Sequence, residues 1–408
     1  MEKNNLPLED VKVVELATVV AAPTCARMLG AYGAKVIKVE SLDGDVMRTG
    51  GSHEFVPYED TLNPLFTIHN SNKRFIALDF KNEKGKAILL DLIKDADIFI
   101  TNIREQSLAR NGLDYESLKS KFPALIYAHF SGYGPKGPVA SNPGFDITAF
   151  WLRAGAVADW QTKGAFPFVP TYAFGDMATS SVFLSGILMA LYAKEKTGKG
   201  TKVTTSLFAN GIWCNAIGVV QTQFDRKHLN PAPLRPSDPF SRTYRCKDGR
   251  WIGIYCNDYG KDKAKFAQLL GVDDIVDDPR FQDIETMQRT GSIEEITARC
   301  NEIFLHRTSK EWRAYLSENN ISCEIMMESQ EVSHDPQAID NRYMVPVTYP
   351  DAQHTQVMMP TPPIAFSEYG CRSYQPTGKI GEDTASILQE LGYSHEEIQQ
   401  MKKDKAVR

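Results

Sequence analysis

The stretch VKVVELATVVAAPTCARMLGAYGAKVIKVE, residues 11–40, decides the fold. It opens with a β-rich run, VKVVELA (Val11–Ala17), and closes with a second one, AKVIKVE (Ala34–Glu40). Between them, the small-residue segment TCARMLGAYG predicts a helix that ends at Gly33. A strand, a helix and a strand in this order form a βαβ unit, whose strands are parallel. This stretch therefore predicts the start of a parallel sheet.

The same alternation continues to about residue 135. Further strands are predicted at FIALDF (Phe75–Phe80), at DIFITN (Asp97–Asn102) and within LIYAHFSGYG, with the helical segment EKGKAILLDLIKDA between the first two. Strands that alternate with helices imply an α/β domain with a Rossmann-like parallel sheet covered on both faces. In such sheets ligands bind beyond the carboxyl ends of the strands.

A proline-rich segment, LNPAPLRPSDPFS (Leu229–Ser241), carries four prolines and predicts a linker. After it, TYRCKDGRWIGIYC predicts a hairpin around Asp248 and Gly249, SKEWRAYLSENN predicts an amphipathic helix, and Ser394 with Glu397 predicts a capping box for the last helix. We therefore expect a large Rossmann-like domain over residues 1–225, rejoined by 345–408, and a small α+β domain over 226–344.

Composition narrows the class of protein. The chain has 408 residues, which is long enough for more than one domain, with 42% hydrophobic and 24% charged residues. Its formal net charge of -5 argues against nucleic acid or an acidic membrane as the main partner. No stretch approaches the roughly 18 apolar residues of a membrane helix. We predict a cytoplasmic protein that does not use a membrane.

Cysteine and histidine patterns bear on metals. The 7 cysteines are scattered without a C-x-x-C pair, and the 8 histidines show no ligand spacing. This pattern is typical of reduced thiols in a reducing compartment. We predict no metal site.

The stretch FGDMATSSV (Phe174–Val182) places one acidic residue, Asp176, between a glycine and a run of small side chains. The apolar residues that follow recur at helical spacing, so a helix is predicted to begin near Asp176. Aspartate is among the best helix N-caps, and a structural cap is the first interpretation of this residue.

Two observations concern nucleotide-like ligands. The turn after the first strand, TVVAAPTCARMLG, lacks G-x-G-x-x-G, which argues against a dinucleotide. Basic residues fall at predicted loops, and the glycine-rich stretch SGYGPKGP (Ser131–Pro138) would let a ligand approach the backbone. Taken singly each basic residue is typical of a solvated surface, but together they would suit phosphates. They are Arg48, Lys73, Arg74, Lys81, Arg104, Arg110 and Lys136.

An ordered set of motifs over nearly the whole chain resembles the class III CoA-transferases, the family of formyl-CoA transferase and carnitine CoA-transferase. The motifs are LEDVKVVELATVVAAPTCARMLGAYGAKVIKVESLDGDVMR, NSNKRFIALDFKNEKGK, ADIFITNIREQSLARNGLDYESL, FPALIYAHFSGYGPKGP, FGDMATSS and KEKTGKGTKVTTSL. Within the family, AAPTCAR, NPGFDITAFWLRAG and FGDMAT resemble the 2-hydroxyacyl-CoA transferases of the phenyllactate and 2-hydroxyisocaproate kind, enzymes of amino-acid fermentation.

The resemblance implies an enzyme that moves CoA from an acyl-CoA or enoyl-CoA to a free (R)-2-hydroxy acid. It implies that Asp176 is the covalent nucleophile, that CoA thioesters are substrates with no tightly bound cofactor, and that the chain forms an interlocked homodimer. By position in the family motifs, the CoA contacts are Val20, Ala21, Ser41, Leu78, Lys81, Asn102, Ile103, Arg104, Arg110 and Lys136. On the substrate side lie Phe145 and Asp146.

This chain departs from some relatives at three of these positions. Formyl-CoA transferases resemble it but have a glutamine in place of Val20 and an arginine in place of Ser41. The α-methylacyl-CoA racemases of the same fold use the histidine of a G-H-D-I-N-Y motif, where this chain has Phe145, which cannot shuttle a proton. A racemase, a transferase for a carnitine-like or bile acid, and a non-catalytic acyl-CoA binder are the alternatives.

Aromatic residues surround Asp176 in the sequence. Ordinary core packing is one interpretation, and an apolar acyl pocket for aromatic or branched-chain 2-hydroxy acids is the other. The residues are Phe145, Phe150, Trp151, Trp160, Phe166, Phe168 and Tyr172.

Overall fold

The computed structural model describes residues 5–162, 164–168, 170, 173–224 and 238–408. Most of the predicted linker, up to residue 237, and Tyr172 lie outside the described residues. The chain divides into two compact units. The first comprises Met1–Ala156, Val169–Val220 and Pro336–Arg408, and the second comprises Val157–Phe168 and Gln221–Asp335. The domain bounds given above stay a prediction, because a division into compact units does not show that each folds alone.

Strands and helices alternate through the first half of the chain. Up to residue 131 they are β1 (Lys12–Leu16), α1 (Ala21–Ala31), β2 (Lys35–Glu40), α2 (Pro64–Asn70), β3 (Lys73–Ala77), α3 (Glu83–Lys94), β4 (Ile98–Thr101), α4 (Glu105–Arg110), α5 (Tyr115–Lys121) and β5 (Ile126–Ser131). A 3-10 helix, Val46–Ser52, follows β2, and a π-helix, Asp146–Leu152, follows β5. Then come α6 (Ala156–Trp160), α7 (Phe174–Thr197), β6 (Lys202–Ser206), α8 (Leu207–Cys214) and α9 (Ala216–Gln221).

The first unit is built on a sheet of six parallel strands in the order β3-β2-β1-β4-β5-β6. Central strands such as β4 are buried along their whole length, as expected for a parallel sheet covered by helices on both faces. The α/β class and the parallel sheet predicted from residues 11–40 are confirmed. The order reverses between β1 and β4, which creates a crevice at the carboxyl ends of these two strands.

Helix α1 is buried along all 11 residues. Small side chains, among them Ala22, Cys25 and Gly30, let it approach its neighbours closely. It packs on α7 and on the sheet. This packing fixes the start of α1 beside the start of α7.

Helix α7 is the element that bears on the prediction that this protein does not use a membrane. Within the described residues it alone is long and apolar enough to cross a membrane by length and composition, with 24 residues and a mean hydropathy of 1.4 over an 18-residue window. However, Phe183, Leu184 and Ile187 are buried, and the helix packs on α1, β5, β6 and α8. One side of α7 therefore packs against the first unit, and 44% of its apolar window is buried.

The second half of the chain contributes the remaining elements. They are β7 (Arg242–Arg245), β8 (Trp251–Tyr255), α10 (Tyr259–Leu270), α11 (Ile284–Thr290), α12 (Ser292–Phe304), α13 (Ser309–Glu318), β9 (Ser322–Ile325), α14 (Ser329–Val332), α15 (Pro336–Asp340), β10 (Met344–Tyr349), β11 (Thr355–Pro360), α16 (Thr384–Glu390) and α17 (His395–Lys403). Strands β7, β8 and β9 form an antiparallel sheet, and the predicted hairpin at Asp248 is confirmed.

The C-terminal helices α16 and α17 belong to the first unit. Leu388, Ile398 and Met401 join the apolar cluster beneath the parallel sheet, and Val407 pairs with Leu78 after β3. The capping box of Ser394 and Glu397 is present at the start of α17, as predicted.

Candidate active site

Most of the predicted CoA-contact residues lie along one edge of the parallel sheet. Ala21 begins α1 after β1, Ser41 follows β2, Leu78 follows β3, and Asn102 follows β4. Because the strands are parallel, these positions meet at the carboxyl edge. The sheet thus brings together residues that are up to 81 positions apart in the sequence, from Ala21 to Asn102.

Asn102 joins the two sides of the crevice between β1 and β4. Its side-chain oxygen accepts a hydrogen bond of 3.1 Å from the Thr18 N–H, and its amide donates one of 2.7 Å to the Thr18 carbonyl. This pair of bonds holds the β1–α1 turn. Asn102 therefore has a structural role, whatever it contributes to a ligand.

The β1–α1 turn is strained at Val19, next to the predicted contact Val20. Val19 has a φ of 71°, a left-handed conformation that is an outlier for a β-branched residue. Asp45 opposes this strain, since its Oδ1 accepts hydrogen bonds from the N–H groups of Val19 (3.3 Å) and Met47 (3.0 Å). Helix α1 has no side-chain N-cap, so N–H groups at its start are open to an anion at the crevice.

A buried charge network supports this turn. Lys38 Nζ lies 2.8 Å from Glu15 Oε1 and 2.9 Å from Asp45 Oδ2, and it donates a hydrogen bond of 2.8 Å to the Ala17 carbonyl. Burial alone would lower the pKa of Lys38, but the carboxylates of Asp45 and Glu15 outweigh it and raise this pKa. The other Glu15 oxygen lies 2.7 Å from Lys73 Nζ, and burial lowers the pKa of Lys73 to about 7.

The sequence interpretation missed most of this network. Lys73 was assigned to a possible phosphate-binding rim, but its Nζ is buried and bonded to Glu15, Asn70 and the Pro23 carbonyl. Glu15 and Lys38 were not singled out. The sequence feature that could have identified them is a charged residue inside each of two β-rich runs. A parallel sheet covered on both faces buries such positions.

Several of the predicted CoA-contact side chains are exposed to solvent. Ser41, Lys81, Arg104, Arg110 and Lys136 are exposed. Four of them are cations in loops or helix ends that follow β3, β4 and β5, so they present positive charge near the carboxyl edge. Ile103 is half-buried, and Val20 and Ala21 are buried.

Leu78 and Arg48 are placed differently from the cationic residues. The Leu78 side chain is fully buried in the apolar core, so only its main chain is open to a ligand. Arg48, assigned to the phosphate rim, is buried and its guanidinium pairs with Glu40 at 2.7 Å. Arg74 pairs with Glu390, also at 2.7 Å.

Asp176 lies in the first turn of α7 but does not cap it. The helix begins at Phe174, and the cap position is Ala173, a left-handed residue with no side-chain cap bond. The cap interpretation is therefore corrected, since Asp176 is the third residue of the helix. Asp176 is 8% exposed, and within the described part of the chain its side-chain oxygens form no hydrogen bond or ion pair.

Burial raises the pKa of Asp176 to about 7, and the nearby Asp146 carboxylate adds to this shift. Asp146 begins the π-helix, and its Oδ2 accepts a hydrogen bond of 2.8 Å from the Asp176 N–H. The two carboxyls therefore titrate as a pair. A carboxylate held without a cation in a low-dielectric position is poised to react with an electrophile.

Glycines allow this close approach. A Cβ on Gly175 would lie 2.5 Å from Phe150 Cγ and 2.9 Å from Asp146 Oδ2, and a Cβ on Gly144 would lie 2.7 Å from Gly132 Cα. Glycine at position 175 lets Asp146 and Phe150 approach the start of α7, and glycine at position 144 lets the segment that precedes Asp146 pass close to Gly132.

Helix α1 completes the surroundings of the α7 start. Thr24 Oγ1 lies 3.8 Å from Met177 Sδ and 2.8 Å from His69 Nδ1. Burial lowers the pKa of His69 to about 3, so this imidazole stays neutral and is no proton donor at neutral pH.

The aromatic residues near Asp176 divide into two groups. Phe150 and Trp151 are buried, which supports core packing for these two. Phe145 is 60% exposed and directly precedes Asp146. Trp160, Phe166 and Phe168 belong to the second unit and are exposed. Tyr172 lies outside the described residues.

A cavity of about 530 Å³ opens elsewhere, at the amino edge of the sheet. Its lining includes Lys12, Lys35 and two of the basic residues considered for phosphates, Lys73 and Arg74, but none of the residues predicted to be the nucleophile or to contact CoA or the acid. We place the candidate site at Asp176 instead, because the carboxyl edge of the sheet carries this buried carboxylate and the surface cations. Within the described part of the chain, no group of three or more His, Cys, Asp or Glu side chains could hold a metal.

Comparison with known proteins shows the family. The model of CoA-transferase family III matches residues 8–384. The chain is 38% identical over 404 residues to (R)-2-hydroxy-4-methylpentanoate CoA-transferase of Clostridioides difficile, covering 98% of this chain and 99% of the relative. It is 34% identical over 410 residues to cinnamoyl-CoA:phenyllactate CoA-transferase of Clostridium sporogenes, covering 100% and 98%.

Comparison with solved structures agrees with the family found from the sequence. A crystal structure of a CAIB/BAIF family protein from Brucella suis superposes with a TM-score of 0.77 at 28% identity, covering 95% of this chain and 100% of that one. The resemblance found in the motifs is thereby confirmed. The chain belongs to CoA-transferase family III.

Proposed function

We propose that this protein moves coenzyme A from an acyl-CoA or enoyl-CoA to a free (R)-2-hydroxy carboxylic acid, with Asp176 as the covalent carrier. The observation that carries the proposal is the buried Asp176 carboxylate at the crevice edge of a family III chain. The names of the two relatives support the substrate class, since one acts on (R)-2-hydroxy-4-methylpentanoate and the other on phenyllactate. Both acids have a branched or aromatic apolar side chain.

The first half of the reaction loads CoA onto the enzyme. An Asp176 oxygen attacks the thioester carbonyl, the C–S bond breaks, and CoA leaves as a thiolate, which gives a mixed anhydride. The thiolate then attacks the Asp176 carbonyl carbon and releases the donor acid as a carboxylate. Asp176 now holds CoA as a thioester.

The second half repeats these steps in reverse order with the new acid. The 2-hydroxy acid carboxylate attacks the aspartyl thioester and expels CoA thiolate, and the thiolate attacks the acyl carbonyl of the second anhydride. The new acyl-CoA leaves and the Asp176 carboxylate is regenerated. Each step exchanges one acyl bond for another, so no ATP or water is consumed.

Burial of Asp176 suits this sequence. The anhydride and the thioester of Asp176 are neutral, whereas the free carboxylate is charged and desolvated. A low-dielectric position therefore raises the free energy of the starting carboxylate relative to both intermediates. Exclusion of water also protects the anhydride from hydrolysis.

The CoA phosphates are proposed to lie along the carboxyl edge. Lys81, Arg104, Arg110 and Lys136 supply exposed positive charge there, and the uncapped start of α1 at Val20 and Ala21 supplies N–H groups. Ser41, Leu78 by its main chain, Asn102 and Ile103 complete the proposed contacts. Phe145 is the proposed apolar contact for the acid. We also propose that the protein is cytoplasmic.

Trapping of the acyl-enzyme tests the function. Wild-type protein is incubated with an acyl-CoA such as 4-methylpentanoyl-CoA, treated with hydroxylamine, digested and analysed by mass spectrometry. We expect a hydroxamate at Asp176, together with ping-pong kinetics for transfer to (R)-2-hydroxy-4-methylpentanoate. Asp176→Asn should lose the adduct and transfer, while Asp95→Asn, an exposed carboxylate control, keeps both.

Two outcomes would contradict the proposal. Transfer at the wild-type rate by Asp176→Asn would exclude a carrier role for Asp176. Incorporation of deuterium at the α-carbon of the acyl-CoA in heavy water, without any need for a second acid, would indicate a racemase instead.

A further inference from the structure

The carboxylate of Asp146 occupies the start of the helix that carries the nucleophile. Asp146 is 8% exposed, and its Oδ2 accepts the Asp176 N–H at 2.8 Å across 30 residues of sequence. Burial raises the pKa of Asp146, and the main chain of Asp176 and Gly175 and the Trp151 side chain act against this rise. Asp146 is thus hydrogen-bonded to the main chain of the third residue of α7.

This contact replaces a cap that the helix lacks. The second and third N–H groups of a helix are normally satisfied by the side chain of the N-cap residue. In α7 the N-cap is Ala173, whose methyl group cannot accept a hydrogen bond. A side chain from the π-helix therefore caps α7 from outside, and Gly175 leaves the room for it.

The cap withholds stabilisation from Asp176. A carboxylate in the first turn of a helix is normally stabilised by free N–H groups and by the helix dipole. Here one of those N–H groups, that of Asp176 itself, is taken by another carboxylate, which adds its own negative charge. The Asp176 carboxylate is therefore held beside a like charge.

Other charged groups near α7 do not alter this picture. Burial and Asp146 are what raise the pKa of Asp176. The titratable side chains on the described elements packed against α7 are Cys25 and Arg27 of α1, Tyr127 and His129 of β5, Lys202 of β6 and Cys214 of α8.

We infer that Asp146 is a positioning residue that fixes the main chain of Asp176 and, by occupying the N–H of Asp176 with a second negative charge, makes the Asp176 carboxylate a stronger nucleophile. The inference rests on the proposed function of Asp176. Acylation removes the charge of Asp176, so the repulsion from Asp146 is present in the free carboxylate and absent from the anhydride and the thioester. Asp146 therefore favours the covalent states.

The test compares two substitutions in the full-length protein. Asp146→Asn keeps an oxygen that accepts the Asp176 N–H but removes the charge, whereas Asp146→Ala removes the cap as well. Single-turnover acylation of Asp176 by 4-methylpentanoyl-CoA is measured from pH 5 to pH 9, with hydroxylamine trapping as the readout. Asp95→Asn serves as the control.

For Asp146→Asn we expect the acid limb of the acylation rate to move down by up to about one pH unit, because the like charge is gone. The rate on the plateau should fall roughly three- to tenfold, since one pKa unit of lost repulsion corresponds at most to a factor of ten. The KM for acyl-CoA should stay nearly unchanged. Asp146→Ala should show the same shift of the limb, a larger loss of rate and a lower Tm.

Each outcome bears on a separate statement. If Asp176 is trapped as before and the acid limb of Asp146→Asn coincides with that of the wild type, the inference about Asp146 is wrong and the proposed function stands. If no Asp176 adduct forms in the wild type, the proposed function is wrong and the inference falls with it.

Discussion

At the scale of the residue, Asp176 is a carboxyl whose ionised form is destabilised in the folded protein. Its pKa is raised from 3.8 to about 7 by burial and then by Asp146, so the folded state favours the protonated form. A raised pKa contributes stability that is fully present below pH 3.8 and is lost as the pH rises through about 7. At neutral pH and above, the ionised Asp176 side chain therefore destabilises the folded state of the free enzyme.

Asp176→Asn should for this reason stabilise the free protein, and more so at high pH. The gain at pH 8 is at most about 4 kcal/mol, from the shift between 3.8 and about 7, and close to zero at pH 4. Thermal melting curves at pH 5 and pH 8 should show a difference in Tm that grows with pH. Asp95→Asn should show no such growth, and an Asp176→Asn protein that melts with the wild type at pH 8 would contradict this prediction.

At the scale of the element, the start of α7 depends on a glycine. A Cβ on Gly175 would stand 2.5 Å from Phe150 Cγ, so Gly175→Ala must push the first turn of α7 away from the π-helix. We expect at least a hundredfold loss of acylation rate with a small change in CoA affinity, since a misplacement of about 1 Å can cost that much. Stopped-flow acylation and CoA titration measure the two effects.

A matched control lies on the same helix. Gly186→Ala would place a Cβ 3.0 Å from one Val203 methyl group, a contact that a small shift relieves. This variant should acylate within about twofold of the wild type, because alanine also suits a helix interior better than glycine. Equal losses in the two variants would show that α7 needs flexibility rather than a close contact at its start.

Local patterns predicted the elements better than their ends. The β-rich runs Val11–Ala17 and Ala34–Glu40 contain β1 and β2, because alternation of strand and helix is written into neighbouring residues. The cap of α7 was assigned to the wrong aspartate. Asp146 lies 30 residues away in the sequence, and a pattern of neighbouring residues carries no information on such a contact.

The same limit applies to the site. Strand order placed the residues after β1, β2, β3 and β4 at one edge, which follows from parallel strands alone. The burial of Lys73 and Arg48, by contrast, depends on their partners Glu15 and Glu40. Such pairing decides whether a cation binds a ligand or the protein, and it becomes visible only in the folded chain.

At the scale of the whole molecule, an apolar surface on the first unit predicts a partner. Helices α7, α8 and α9 expose large apolar side chains, more than a monomer normally leaves in water. They are Val182, Leu188, Met189, Tyr192, Ile212, Trp213, Ile217, Val219 and Val220, with Trp213 and Ile217 each 75% exposed. A second copy of this chain is the proposed partner, in line with the interlocked homodimer that the family resemblance implies.

Analytical ultracentrifugation measures the mass of the assembly in solution. For a homodimer of a 45.7 kDa chain, we expect twice the mass of one chain. Trp213→Glu combined with Ile217→Lys puts two charges into the proposed interface, which would be apolar in an obligate dimer. We therefore expect this double variant to be a monomer, with a lowered Tm and a transfer activity reduced at least tenfold. Lys265→Glu, an exposed charge change on α10, should leave the mass and the activity as they are. Because these apolar side chains are distinct from Asp176, a double variant that stays dimeric and active would place the partner surface elsewhere, and a monomeric wild type with full activity would show that one chain holds the complete site.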